Sequence, residues 1–240
     1  MPLTLAGACL FGAMKTSEAI AVLLNGAGAV APARFAEATA LVKADAEAGR
    51  PLQQFVYATT LSDEALARRY YDAARPSIKA LAERRNNPLA WYLLSVEGNN
   101  YKFLRRAAEG GNVQALNAIG TIQISTVCAD KNLSSNEVVT SLSECFGYFT
   151  KAVEKGDVNA LINLGTCYLH GYGCARDLGK AHDCFARAAD KGHPEGMDCL
   201  SACYELGHGV SVDVEKSLYW KMKARAVRGD EAAATWLRTH

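Results

Sequence analysis

The chain has 240 residues, half of them hydrophobic, and its 26 basic and 25 acidic side chains leave a formal charge of +1. That is enough for one large domain or one elongated array with a sizeable core. A nucleic-acid binder shows a basic stripe, and none is present: the densest basic spots, Arg84-Arg85 and Arg105-Arg106, read as solvated helix faces. No run approaches the ~18 apolar residues of a membrane-spanning helix.

The N-terminal MPLTLAGACLFGAMK is apolar but lacks the basic start of a signal peptide. Its AGAC, ending at Cys9, is loosely like a lipoprotein cleavage box, behind an apolar lead of only about eight residues. The expectation is a cytoplasmic address, with export as a secreted protein or lipoprotein as the alternative. Helices are predicted near Ser17–Leu24 and Arg34–Ala48 and over TLSDEALARRYYDAAR, and Pro76 is expected to open a new one. No Gly/Ser-rich or Pro-rich linker separates this third from the rest.

From residue 112 onward the chain repeats itself. LGTCYLHGYGCARDLGKAHDCFARAADKG starts at Leu164, and LSACYELGHGVSVDVEKSLYWKMKARAVRG starts 36 positions later. Tyr168 meets Tyr204, Gly171 meets Gly207, Gly173 meets Gly209, and Lys180 meets Lys216. A glycine ending each second helix recurs at Gly111, Gly156, Gly192 and Gly229, with gaps of 45, 36 and 37. Gly49 and Asn86 are weaker markers of the same kind. The 25-residue gap from Asn86 to Gly111 implies a shortened turn, EGNN; the 45-residue gap holds an insertion, STVCADKNLSSNEVV, expected as a loop, functional or merely tolerated, where the glycine-rich turn belongs. Fixed periods in this range mark a solenoid or array.

Each unit reads as two helices. Helix A of the best copy covers about Val158 to Leu169, with Ala160, Leu161, Leu164 and Tyr168 on one stripe. Gly165, aligned with Gly120 and Ser201, is small in mid-helix, which costs stability relative to Ala; a close helix approach explains it. Asp177 and Asp213 suit the start of helix B. Helix B runs from about Leu178 to Asp190, with Ala181, Phe185, Ala188 and Ala189 inward, and Gly192 stops it. Trp91, Tyr92, Tyr148, Phe149, Phe185, Tyr219 and Trp220 also fall in core columns. Two such helices cannot bury their apolar faces alone, so each copy is the packing partner of the next.

ALINLGTCYLHGYGCARDLGKAHDCFARAADKG resembles a Sel1-like repeat, a relative of the tetratricopeptide repeat. The likeness covers Asn112 to Gly229 best, weakens over Pro88 to Gly111 and is faint before Pro51. It implies an all-α fold, a right-handed α–α superhelix (solenoid) of antiparallel helix pairs. The expected organisation is N-terminal helices over 1–50, continuous with the array; degenerate repeats over 51–111; Sel1-like repeats over 112–229 with the insertion at 125–139; and a capping helix over 230–240. Two departures stand out: Gln123 replaces the Tyr168 column, and Arg225-Ala226 adds one residue to the last helix B.

Chemistry requires convergent groups. The five histidines occupy different repeat columns. Cys199 and Cys203, and His170 and Cys174, are four apart, a spacing that can share zinc. Yet Cys167 and Cys203 share one packing column, and no Cys-x-x-Cys occurs. Cys184 lies two residues from His182, so their side chains diverge on a helix. No nucleophile elbow, phosphate loop or dinucleotide fingerprint appears. The eight cysteines read as reduced core thiols. A cysteine-rich bacterial branch of the family, linked to β-lactam binding or hydrolysis, pairs cysteines where this chain has Ala189 and Gly196. No catalytic residue, cofactor or metal is therefore expected; a divergent hydrolase or metal-binding protein is the alternative.

The expectation is a scaffold or adaptor. Stacked hairpins expose a concave surface lined by helix A. Removing the core stripe leaves Gln114, Asn159 and Glu195 in one column, Asn117, Ile162 and Asp198 in the next, and Ala118, Asn163 and Cys199 in a third. Their amides and acids carry donors and acceptors able to clamp an extended peptide or a basic segment. The partner expected at Gln114, Asn117, Asn159, Asn163, Glu195 and Asp198 is another protein or an extended peptide.

Overall fold

A computed structural model describes residues 15–25, 30, 32–98, 100–130 and 132–239. Cys9 and the N-terminal cleavage-box likeness lie outside them. The described residues form helices α1 Thr16–Asn25, α2 Pro32–Glu47, α3 Pro51–Ala58, α4 Glu64–Arg85, α5 Pro88–Gly98, α6 Tyr101–Glu109 and α7 Val113–Ala129, then α8 Ser135–Glu154, α9 Val158–His170, α10 Leu178–Asp190, α11 Pro194–Leu206, α12 Val214–Val227 and α13 Glu231–Thr239. No strand occurs among them. Each odd helix from α1 to α11 pairs with the even helix after it, each pair packs on the next, and α13 packs on α12. The fold is an all-α solenoid; odd helices are the A helices and even ones the B helices. α7 also touches α9, and α9 touches α11.

The six punctuation residues read from the sequence all adopt the left-handed conformation: Gly49, Asn86, Gly111, Gly156, Gly192 and Gly229, with φ between 46° and 98°. After each, the chain turns back on itself. The Asp157 N–H donates to Ala152 O at 3.0 Å and the His193 N–H to Ala188 O at 3.1 Å, closing the ends of α8 and α10. The residue that closes one helix also starts the next. Asn87, Asn112, Asp157 and Asp230 accept side-chain caps from the N–H groups of Ala90, Ala115, Ala160 and Ala233. His193 makes no such cap; Pro194 follows it, and a proline has no N–H to satisfy.

The repeated turn residues have repeated jobs. The Asp177 N–H donates to Tyr168 O and the Asp213 N–H to Tyr204 O, both at 2.9 Å. Their carboxylates cap α10 and α12, accepting from the Lys180 and Lys216 N–H groups at 3.0 and 2.9 Å. These backbone hydrogen bonds hold both carboxyls below their ordinary pKa. The two lysine ammoniums sit 5.4 Å from the ring centres of Tyr168 and Tyr204.

The second glycine of each turn binds one repeat to the one before. A Cβ on Gly173 would lie 2.2 Å from Leu142 O, and one on Gly209 would lie 2.2 Å from Leu178 O. Leu142 and Leu178 are themselves 36 apart. One turn further along helix B, Phe146 meets Tyr168 edge-on at 5.4 Å, and His182 meets Tyr204 edge-on at 5.7 Å. Within a hairpin, Phe149 and Phe185 press their rings into the notches at Gly120 and Gly165, where a Cβ would come within 2.7 and 2.6 Å of the ring. This is the close approach expected of that column. In the third copy Lys221 stands at the phenylalanine position, and the buried Ser201 hydroxyl instead donates to Ser217 O at 2.9 Å.

Three sequence expectations need correction. Pro76 does not open a helix: α4 runs through it as one 22-residue element. The buried residues Ala67, Ala74, Ile78 and Ala82 stay in helical phase on both sides. Pro76 and Asp72 are exposed, so the carbonyl freed by the proline meets water. The insertion is not a long loop. It lengthens α7 and α8 to 17 and 20 residues, and Ser134 and Glu137 form a capping box at the new α8 start. Finally, Tyr219 is not core: it is 42% exposed, in the same solvent-facing column as the exposed Asp183 of α10.

Gly192 and Gly209 separate two costs. Both have positive φ, but Gly192 has open space around it and Gly209 rests on backbone. Gly192→Ala should lose about 1–2 kcal/mol, the left-handed penalty alone. Gly209→Ala should lose roughly 3 kcal/mol or more, since the Leu178 carbonyl cannot yield without shifting α10. Urea unfolding of the two variants measures the difference.

Candidate protein-binding surface

The A helices place the six candidate residues on the array, and five of them bond to another helix or to a cap. Gln114 on α7 donates to the Asn25 side chain at the end of α1, 3.3 Å away. The Asn163 amide on α9 donates to Asn117 Oδ1 on α7 at 2.8 Å. Asn159 Oδ1 lies 2.8 Å from His193 Nε2, at the N-cap of α11. Asp198 on α11 accepts from Arg228, at the end of α12, at 2.5 Å. Glu195 is exposed. Asn117 and Asn163 thus meet directly; the others meet Asn25, His193 and Arg228, which the column argument missed. A signal for His193 was present: it stands 36 residues after the N-cap Asp157. Ile162, in the middle of the second column, is buried and interrupts it.

Each of these side chains keeps hydrogen-bonding capacity beyond its one bond, since an amide offers two donors and two acceptor positions. Gln114 also borders an open cavity of about 410 Å³ between α1 and the N-terminal ends of α5 and α7. Ile20, Leu24, Leu89 and Val113 form its apolar wall, Asn112 and Gln114 supply amides, and no charged side chain lines it. An apolar recess edged by amides suits an uncharged extended segment.

Two buried ionisable groups lie in the N-cap column. Asp157 is 5% exposed, and burial raises its pKa against the hydrogen bonds from Ala160 and Asn159. His193 is 3% exposed, and burial lowers its pKa, with Glu195 opposing and Arg228 assisting. With Asn159 Oδ1 accepting, Nε2 carries the imidazole proton. Protonation must then place a second N–H at Nδ1, which is buried without a partner.

The thiols are set for packing. Cys145, Cys167 and Cys184 share a buried cluster with Phe149 and Leu164. Burial pushes their pKa values up to about 11, 12 and 11, and those of Cys199 and Cys203 to about 12 and 11. All seven described cysteines are free thiols. Among the described residues, no group of three or more His, Cys, Asp or Glu side chains is placed to hold a metal ion. No described helix is long and apolar enough to cross a membrane. Gly196 packs on Ala188, and a Cβ there would lie 2.6 Å from Ala188 Cβ, so the pair expected to differ from the cysteine-rich branch serves close helix contact.

The class defined by this architecture is the helical-hairpin solenoid. More closely, the family model of the Sel1 repeat matches residues 137–157, 158–193 and 196–220, and this part of the chain is built of Sel1 repeats. The matched segments break at the N-caps Asp157 and His193. No curated protein sequence matches the chain. Among solved structures, a Sel1 repeat protein from Oxalobacter formigenes aligns at 25% identity and TM-score 0.45, covering 53% of this chain and 90% of that one. The protective antigen c5321 of uropathogenic Escherichia coli, described as having an SLR fold, aligns at 21% identity and TM-score 0.53. That alignment covers 84% of this chain and 45% of that one, so this chain spans about half the antigen's length. Helicobacter pylori cysteine rich protein B aligns at 23% identity and TM-score 0.39, covering 58% and 99%. The antigen shares the fold.

The depressed His193 pKa fixes the sign of an acid effect. The folded protein favours neutral imidazole. The stability this gives is complete above the ordinary histidine pKa of about 6.5 and is lost as pH falls below it toward the lowered folded value. Asp157, with its raised pKa, acts in the opposite sense and gains stability on acidification. His193→Asn puts a capping side chain where His193 makes none, as Asn112 does in its own repeat, and does not titrate. Thermal melts at about pH 7 and about pH 5.5 should show a smaller loss of Tm in His193→Asn than in the wild type.

Proposed function

We propose that the protein is an interaction scaffold that binds a partner protein or an extended peptide along the A-helix surface. Sel1 repeats typically serve as helical scaffolds for protein interaction, and that repeat family is generally non-enzymatic. The observation that carries the reading is the row of uncharged amides from Gln114 through Asn117 and Asn163 to Asn159. Its members are held by bonds between helices. Side chains fixed in this way lose little further freedom when a ligand binds. The apolar recess beside Gln114 gives such a ligand a place for one side chain.

The hydrolase or metal-binding alternative draws no support from Cys145, Cys167, Cys174, Cys184, Cys199 and Cys203, whose pKa values burial raises. Reactive cysteines need a lowered pKa and access. Thiol titration with Ellman's reagent checks this. In a Cys9→Ser background only the exposed Cys128 should react within minutes, and the buried thiols should react only on unfolding. A second fast thiol in the native protein contradicts the scaffold reading.

The binding site is tested by affinity capture from lysate of the source organism, with bound proteins identified by mass spectrometry. The bait is compared with a Gln114→Lys/Glu195→Lys variant whose melting curve is unchanged. Capture of a stoichiometric partner, weakened at least ~10-fold (about 1.4 kcal/mol) in the variant, supports the A-helix surface. A partner that binds both baits equally places the site elsewhere.

A further inference from the structure

Charge is divided between the two kinds of helix. The A helices α1, α3, α5, α7, α9 and α11 contain no lysine or arginine, and their acids are Glu18, Glu97, Glu195, Asp198 and Glu205. α7 holds no charged residue, and α9 none but His170. The described lysines and arginines before α13 lie on B helices, in turns or at helix ends. A formal charge of +1 thus conceals a row of A helices without a cation.

Three of the acids are already paired: Glu18 with Arg34, Glu97 with Arg75 and Asp198 with Arg228. Glu195 is exposed and makes no ion pair with Lys191 or any other described residue. An acid in the first turn suits a helix start, which accounts for Glu195 alone. It does not account for a whole run of A helices without a base.

Gln114, Asn159 and Glu195 are each the second residue of their helix, so they form one row across α7, α9 and α11. At the Gln114 end lies the recess walled by Ile20, Leu24, Leu89 and Val113. Lys155 lies over Gly111 at the same end, its ammonium 3.2 Å from where a Cβ would stand. A ligand's cation is therefore repelled at the recess and attracted at Glu195. Between the two ends a charge of either sign meets only amides and would lose water without a counter-charge. Packed helices lie ~10 Å apart. The two steps from α7 to α11 then span ~20 Å, which an extended chain covers in about six residues at ~3.3 Å each.

We propose that the A-helix surface selects an extended segment with an apolar residue for the recess, uncharged residues over α7 and α9, and a lysine or arginine about six residues away for Glu195. This rests on the A-helix surface being the binding face and adds the composition of the partner. The amides of Gln114, Asn117, Asn163 and Asn159 bond the segment's backbone, and the two ends read its side chains. Segments charged between the two anchors are rejected, so the uncharged middle contributes specificity as well as contact.

The probe is a phage-displayed library of random peptides of about twelve residues, ~40 Å when extended, panned on the immobilised full chain. Enriched sequences should hold an apolar residue and a Lys or Arg about six places apart, with the stretch between depleted of charge. Panning on Glu195→Lys, with its melting curve unchanged, should enrich Asp or Glu in place of the base and keep the apolar residue. By fluorescence anisotropy, a labelled synthetic copy of an enriched peptide should bind Glu195→Lys at least ~10-fold more weakly than the wild type. Exchanging the peptide's base for Glu should weaken its binding to the wild type in the same way. Peptides that are lost with Gln114→Lys but show no preference for a base overturn the charge selection and leave the A-helix surface standing. Peptides that bind both variants as well as the wild type overturn the A-helix reading itself. No enrichment overturns the extended segment.

Discussion

The contact on which the array depends is a backbone laid on a backbone. Gly173 rests on the Leu142 carbonyl and Gly209 on the Leu178 carbonyl, with no side chain between. This approach fixes the distance from one hairpin to the start of the helix B before it. The aromatic pairs Phe146–Tyr168 and His182–Tyr204 then fix the rotation, because an edge-on ring tolerates little sliding. With distance and rotation set, the A helices come to lie side by side, and the amides on them fall within bonding reach. Asn163 reaches Asn117 only because α9 is held one step from α7. Each unit is locked to its neighbours alone, so stability is spread along the chain instead of gathered in one core.

Much of this was legible in the sequence because a small residue at a fixed period has few explanations. The left-handed positions at Gly49, Asn86, Gly111, Gly156, Gly192 and Gly229 could be read directly. Asn86 shows why one of them need not be glycine. Its side chain accepts from the Trp91 indole at 3.0 Å and from Arg106 at 3.3 Å, bonds a glycine cannot make. Arg106 also stacks 4.5 Å above Trp91, so one member of a pair read as merely solvated helps close the third hairpin. The notch at Gly165 was legible for the same steric reason, though its occupant, Phe185, was not.

What could not be read depends on solvent and on neighbours distant in the chain. A proline normally ends a helix, but Pro76 costs little where its freed carbonyl faces water and the apolar phase continues past it. The insertion at 125–139 lacks the residues of a tight turn. Its Ser134–Glu137 capping box was visible, yet spacing alone did not show that both flanking helices would grow to meet it. The candidate site was the least legible part. Column position put six polar residues on the A helices, but it could not tell that Asn159 faces His193 or that Asp198 faces Arg228, because those partners lie 34 and 30 residues away.

Those partnerships change what the surface can do. A free asparagine on a helix samples several rotamers, and a ligand must order it. Asn159 is already ordered by His193, and His193 by its place between the end of α10 and the start of α11. The same imidazole therefore belongs both to the packing of the repeat and to the posture of the surface. Its protonation leaves Nε2–H donating to Asn159 and puts the second N–H at the buried Nδ1, which has no partner. The acid penalty therefore falls on the packing between α10 and α11, while the bond that orders Asn159 survives it.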